Sequence, residues 1–230
     1  QYEAEEKITV NGNVDLYAVV FNRTTETDLT EDQLPQVDIY KYKQVIFVGD
    51  SRTEFMENVL TGMGESATKN VKFVCSAGKG LDWFTTTGWA QLYSIVQHDS
   101  NSILSKKTAV IFNFGVNDLS KSADYAEYYN WIAPQLKSKG CELYFMSVNP
   151  VNRLMLPNAG RADRSEAAVR SFNQYMKANL PSAYSYLKST GYSFASDHYG
   201  TGTVDDGLHY TTRTYKRIFA KCMDSLRVPA

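Results

Sequence analysis

Val45-Ile46-Phe47-Val48-Gly49-Asp50-Ser51-Arg52 carries four consecutive apolar residues, three of them β-branched around a phenylalanine, into a glycine, an acid and a serine. The segment that follows, Glu54 to Met63, has helical period. A short apolar run that stops at a small residue and turns at once into a helix is the signature of a buried strand feeding a crossover helix. Ser51 then lies at the carboxyl end of that strand, where open α/β sheets bind ligands. Its hydroxyl would be exposed, and backbone N–H groups at the helix start could face a developing negative charge. An Asp-Ser pair is equally at home as an ordinary helix cap.

Further along the chain, Val71 to Cys75, Ala109 to Phe114 and Leu143 to Val148 repeat the strand pattern, and Trp89 to Val96, Tyr125 to Lys139, Ser165 to Leu180 and Thr212 to Leu226 repeat the helical one. Alternation of this kind predicts an α/β fold, a three-layer α/β/α sandwich around a mostly parallel central sheet. Residues 1–40 read differently. Lys7 to Val10 and Val14 to Phe21 are strand-like, and a polar stretch from Asn22 to Gln36 follows, so an N-terminal extension over 1–40 is expected ahead of a main domain over 41–230.

At 230 residues and 43% hydrophobic content, one domain with a sizeable core is expected. The 24 basic and 25 acidic side chains give a net charge of −1, evenly spread, which offers no electrostatic footprint for nucleic acid. No apolar run approaches the ~20 residues that span a bilayer. Gln1-Tyr2-Glu3-Ala4 is neither an initiator methionine nor the charged-then-apolar start of a signal peptide, so the chain reads as a processed product, compatible with a secreted or cell-surface bacterial protein. Cys75, Cys141 and Cys222 are widely spaced, lack a C-x-x-C pattern, and are expected to act as small buried hydrophobes. No metal ligand cluster and no organic cofactor are expected.

Three more segments end at the same predicted sheet edge. Asp206-Gly207-Leu208-His209 precedes the last helix, and its three-residue offset lets Asp206 reach the imidazole Nδ1 while Nε2 stays free to take a proton from a serine. His198, preceded by Asp197, is the competing histidine; His98 has only Asp99 beside it. Phe112-Asn113-Phe114-Gly115-Val116-Asn117-Asp118 closes a strand, and Asn117 could donate its amide N–H to an oxyanion, although a Gly/Asn/Asp turn has the same composition. Gly78-Lys79-Gly80 follows the second strand and allows close backbone approach to a ligand.

In this order, Gly49-Asp50-Ser51, a glycine after the second strand, Gly115-Val116-Asn117-Asp118 and Asp206-Gly207-Leu208-His209 resemble the blocks of the SGNH (GDSL-like) hydrolases, over about residues 44–226. The resemblance implies a flavodoxin-like fold and a serine esterase, with Ser51 as nucleophile and oxyanion donor, Asn117 as side-chain donor, His209 as base and Asp206 as its orienter. Counting from Phe73-Val74 favours Gly80 over Gly78 as the remaining donor, although Cys75-Ser76-Ala77 replaces the family's usual asparagine-containing lead-in. Arg52 stands where many members have leucine. The G-x-S-x-G elbow of the α/β-hydrolases is absent from the sequence.

Trp83 and Phe84, just after the glycine pair, either flank a substrate or pack the core. With 16 tyrosines, 11 phenylalanines and 3 tryptophans, aromatic faces with polar tips favour a glycan ester, and O-acetyl carbohydrate esterase activity is expected ahead of lipase or lysophospholipase activity. A non-catalytic glycan-binding module on the same fold is the alternative outside enzymes. Arg153, Arg161 and Arg164 are expected to form a solvated loop, with an anionic substrate as the alternative partner.

Overall fold

The computed structural model describes residues 28–37, 41–98, 107–152, 155–156, 160, 162–187 and 206–227. Five strands, β1 (Tyr42–Gly49), β2 (Val71–Cys75), β3 (Lys107–Asn113), β4 (Cys141–Met146) and β5 (Tyr184–Leu187), form one sheet in the order β2-β1-β3-β4-β5, parallel throughout. The helices are α1 (Ser51–Thr61), α2 (Leu81–Trp83), α3 (Trp89–His98), α4 (Ser122–Ser138), α5 (Glu166–Asn179) and α6 (Thr212–Arg227).

The period-2 alternation of each strand sorts its side chains into two separate cores. Ile46, Val48, Val110, Phe112, Leu143 and Phe145 face α3, α4 and α5. Val45, Phe47, Ala109, Ile111, Tyr144 and Met146 face α1 and α6. Three layers result, as the alternation of strand and helix signals predicts.

The differences are instructive. α1 begins at Ser51, three residues before the apolar period becomes visible, because Asp50 caps it: its carboxylate accepts from the Arg52 N–H at 3.0 Å. β5 is a strand that the pattern does not announce. It is four residues long, Tyr-Ser-Tyr-Leu, lies at the sheet edge, and only Tyr184 in it is buried. A π-helical turn over Phe84–Gly88 joins α2 to α3 and seats the Phe84 ring in the core. Gly88 is required there, since a Cβ would strike the Trp83 and Phe84 rings.

The strand-like runs Lys7 to Val10 and Val14 to Phe21 lie outside the described residues. Of the expected extension, Leu34 and Val37 are buried against the α1 and α6 side, and Asp28 pairs with Lys216 of α6 at 2.9 Å. All three cysteines are free thiols, Cys141 and Cys222 buried and Cys75 half-buried. No described helix is long and apolar enough to cross a membrane.

Candidate active site

Ser51 is the first residue of α1, so its amide N–H has no acceptor within the helix and points out from the positive end of the helix dipole. β1 delivers it there through Gly49, where any Cβ would fall into the Thr53 side chain and the Asn113 carbonyl of β3. The Ser51 hydroxyl lies 2.8 Å from Nε2 of His209. The other imidazole nitrogen, Nδ1, is 2.6 Å from a carboxylate oxygen of Asp206. The second Asp206 oxygen accepts the backbone N–H groups of Leu208 and His209, at 2.8 and 2.9 Å.

That bonding pattern fixes the tautomer. With Nδ1–H donated to Asp206, Nε2 carries the lone pair that faces the serine hydroxyl. Burial pushes the Asp206 carboxyl up, but its bonds from the His209 and Leu208 backbone and from the imidazole outweigh burial and hold it below the usual carboxylate value. Asp206 therefore stays ionised beside the imidazole at neutral pH.

The 206–209 turn is held from two sides. Gly207, at φ 67°, gives its carbonyl to the Asn152 N–H at 2.7 Å, and a Cβ there would press on the Asn152 carbonyl. Arg52, only 3% exposed, donates to three carbonyls: Leu208 at 2.9 Å, Asn149 at 2.5 Å and Pro150 at 2.9 Å. Its guanidinium also stands 5.0 Å from the centre of the Tyr210 ring. Arg52 is thus a clamp that joins the start of α1, the loop after β4 and the turn bearing His209. The sequence gives no sign of it, because all three acceptors are main-chain atoms 97 to 156 positions away.

Beyond the end of β3, the Asn117 side chain donates to the Lys79 carbonyl at 2.8 Å, leaving its second N–H for another acceptor. The neighbouring Asp118 accepts from the Leu81 N–H at 2.7 Å and from the Tyr125 hydroxyl at 2.8 Å. Both residues thereby hold the 79–81 turn in place. Gly80 lies against the Asp118 carboxylate, which a Cβ would enter. Gly78 stands apart from this contact: it has φ 69° and open space where a Cβ would be. Asn117 therefore meets the turn at Lys79, between the two glycines, and Asp118 meets it at Gly80.

Trp83 packs against Phe114 at 6.2 Å and Phe84 is fully buried, which places both with the core. The aromatic side chain next to the imidazole is Phe55, 44% exposed, with its ring centre 4.7 Å from that of His209. Its position one helical turn after Ser51 is the signal that could have found it. His198 lies outside the described residues, as do Arg153 and Arg161. Among the described residues, no group of three His, Cys, Asp or Glu side chains is placed to hold a metal ion.

Solved structures with the same architecture include a putative SGNH hydrolase from Slackia heliotrinireducens, 13% identical, with a TM-score of 0.55 and 81% of this chain covering 100% of that one. The fold is that of the SGNH hydrolases. A putative acylhydrolase from Bacteroides fragilis is 16% identical at a TM-score of 0.51, over 85% of this chain and 93% of that one. A putative platelet activating factor from Streptococcus pneumonia is 17% identical at a TM-score of 0.52, over 83% and 86%. The sequence matches no family model and no curated protein sequence. Within the SGNH fold, Ser51, Gly80, Asn117 and the Asp206–His209 turn all stand at the carboxyl edge of the sheet.

Proposed function

We propose that this SGNH-fold protein is a serine ester hydrolase, a reading carried by the continuous chain of hydrogen bonds from Ser51 through His209 to Asp206. His209 Nε2 takes the proton as Ser51 Oγ attacks the ester carbonyl. The tetrahedral oxyanion is received by the N–H groups of Ser51 and Gly80 and by the free Asn117 amide N–H. His209 returns the proton to the leaving alcohol, and water repeats the sequence on the acyl-enzyme. Asp206 remains ionised and stabilises the imidazolium.

For substrate, we favour an O-acetyl ester of a carbohydrate. Of the large hydrophobic side chains exposed among the described residues, Phe55, Trp131 and Tyr175, only Phe55 contacts the triad. One aromatic ring suits a small acyl group or a sugar face better than a long acyl chain, which would bury a broad apolar groove. The test is release of acetate from acetylated sugars and of 4-nitrophenol from short- and long-chain esters, by wild type and Ser51→Ala. Turnover confined to short acyl groups and abolished by Ser51→Ala supports the reading. Faster cleavage of long-chain esters points to a lipase, and inertness on all of them, with retained glycan binding, points to a binding module.

A further inference from the structure

Arg164 is the group that the proposed chemistry leaves unused. It ends the 3-10 turn Ala162–Arg164, immediately before Ser165, whose hydroxyl caps α5 by accepting the Ala168 N–H at 3.2 Å. The height of this turn over the sheet follows from α5 itself. Asn173 exchanges two hydrogen bonds with the main chain of Val148, at 2.8 and 2.9 Å, and so stands level with the carboxyl end of β4. The seven residues from Asn173 back to Glu166 rise about 10 Å at 1.5 Å each. Arg164 therefore overhangs the same sheet edge that carries Ser51 and Asn117.

Its surroundings differ from those of a solvated loop. The Arg164 Nε is buried and has no hydrogen-bond acceptor among the described residues. No described carboxylate forms an ion pair with it. Its positive charge nevertheless reaches Asp50, the buried residue directly before Ser51: burial dominates in raising that carboxyl, and Arg164 is among the charges that oppose it. Arg52, also at this edge, already spends donors on three carbonyls. The Nε itself is closed to solvent, so an acceptor from outside the chain meets the other N–H groups of this half-buried guanidinium, and pairing there offsets the cost of the dry, unpaired donor. Its planar fork matches the two oxygens of a carboxylate or phosphate.

We infer that Arg164 is a specificity residue that binds an oxyanion substituent, carboxylate or phosphate, on the alcohol portion of the ester. The inference rests on the serine-hydrolase reading and adds a charge requirement to it.

Three aryl acetates test it: 4-acetoxybenzoate, 4-acetoxyphenyl phosphate and the neutral methyl 4-acetoxybenzoate, with 4-nitrophenyl acetate as the common reference. Wild type is expected to cleave at least one anionic ester with kcat/KM about ten- to a hundredfold above the neutral one, the range of a charge-assisted hydrogen bond. Which anion gains separates carboxylate from phosphate. Arg164→Gln should abolish the preference while leaving the neutral esters within about twofold, and Arg164→Lys should restore part of it. Equal rates on anionic and neutral esters overturn the inference. So does an equal loss on all esters in Arg164→Gln, which would make Arg164 a counter-charge for Asp50 alone. Inertness toward 4-nitrophenyl acetate as well would instead sink the hydrolase reading on which the inference stands.

Discussion

The side chain that follows Ser51 holds the main chain that precedes His209: Arg52 Nε donates to the Leu208 carbonyl at 2.9 Å. The two ends of the proposed proton relay are therefore tied through one buried cation, independently of the hydrogen bond they share. Arg52→Leu strips the donor from three carbonyls and frees the 206–209 turn. A displacement of about 1 Å at a reacting group can cost about 10² in rate. Steady-state kinetics should show kcat lower by about that factor, with KM little changed and a lowered Tm. Arg52→Lys should recover only part, since one ammonium nitrogen cannot reach the three carbonyls that Nε, Nη1 and Nη2 meet separately. Unchanged kcat in Arg52→Leu would show that Asp206 alone is enough to position the imidazole.

Asp50 makes stability depend on pH. Burial raises its carboxyl from 3.8 to about 6 despite the Arg52 N–H and charge, so the folded protein holds this proton more tightly than the unfolded chain does. The resulting stabilisation is complete below about pH 4 and is lost as pH rises through about 6. At about 1.4 kcal/mol per unit, the loss at neutral pH is on the order of 2–3 kcal/mol. Asp50→Asn keeps a good helix cap and removes the charge. Thermal unfolding from pH 4 to 8 should show a higher Tm for the variant at pH 7 and a flatter curve between 4 and 6. Parallel curves for the two proteins would contradict this.

The two glycines of the 78–80 turn should respond differently to alanine. In Gly80→Ala the new methyl enters the Asp118 carboxylate and displaces the turn, so kcat should fall by about 10²–10³, the cost of losing one oxyanion donor. In Gly78→Ala the methyl meets open space but the residue keeps φ 69°, a strain of about 1–2 kcal/mol. Its signature is a lower Tm with nearly normal kcat. The reverse pattern would move the oxyanion donor to Gly78.

Phe55 covers one side of the imidazole while remaining open to solvent. Phe55→Ala should raise KM for aryl esters several-fold and lower kcat less than tenfold, because the ring supplies contact area and takes no part in proton transfer. A kcat loss comparable to that of His209→Ala would show that the ring instead fixes the imidazole orientation.

How much of this was legible in the sequence depends on the range of the interaction. The layers and four strands were, because short unbroken apolar runs and period-3.6 helices are written into neighbouring residues. β5 was not: Tyr184–Leu187 buries one residue and owes its strand form to pairing with β4. The candidate site was legible as residue types after strand ends, and the structure brings Ser51, His209 and Asp206 into one chain of contacts. Arg52 and Asp118 were read only as positions in motifs, since what they hold, the 206–209 turn and the 79–81 turn, is chosen by tertiary packing. Phe55 lay one turn from the serine, but its meaning depends on where His209 arrives from 154 residues away.

The most direct test of the central claim is intact-mass analysis after treatment with a fluorophosphonate, which adds only to a serine activated for nucleophilic attack. One adduct per chain, mapped to Ser51 and absent from both Ser51→Ala and His209→Ala, is the predicted result. An unmodified wild-type chain that accepts no phosphonate, or an adduct that persists in Ser51→Ala, would contradict the assignment of Ser51 as the nucleophile.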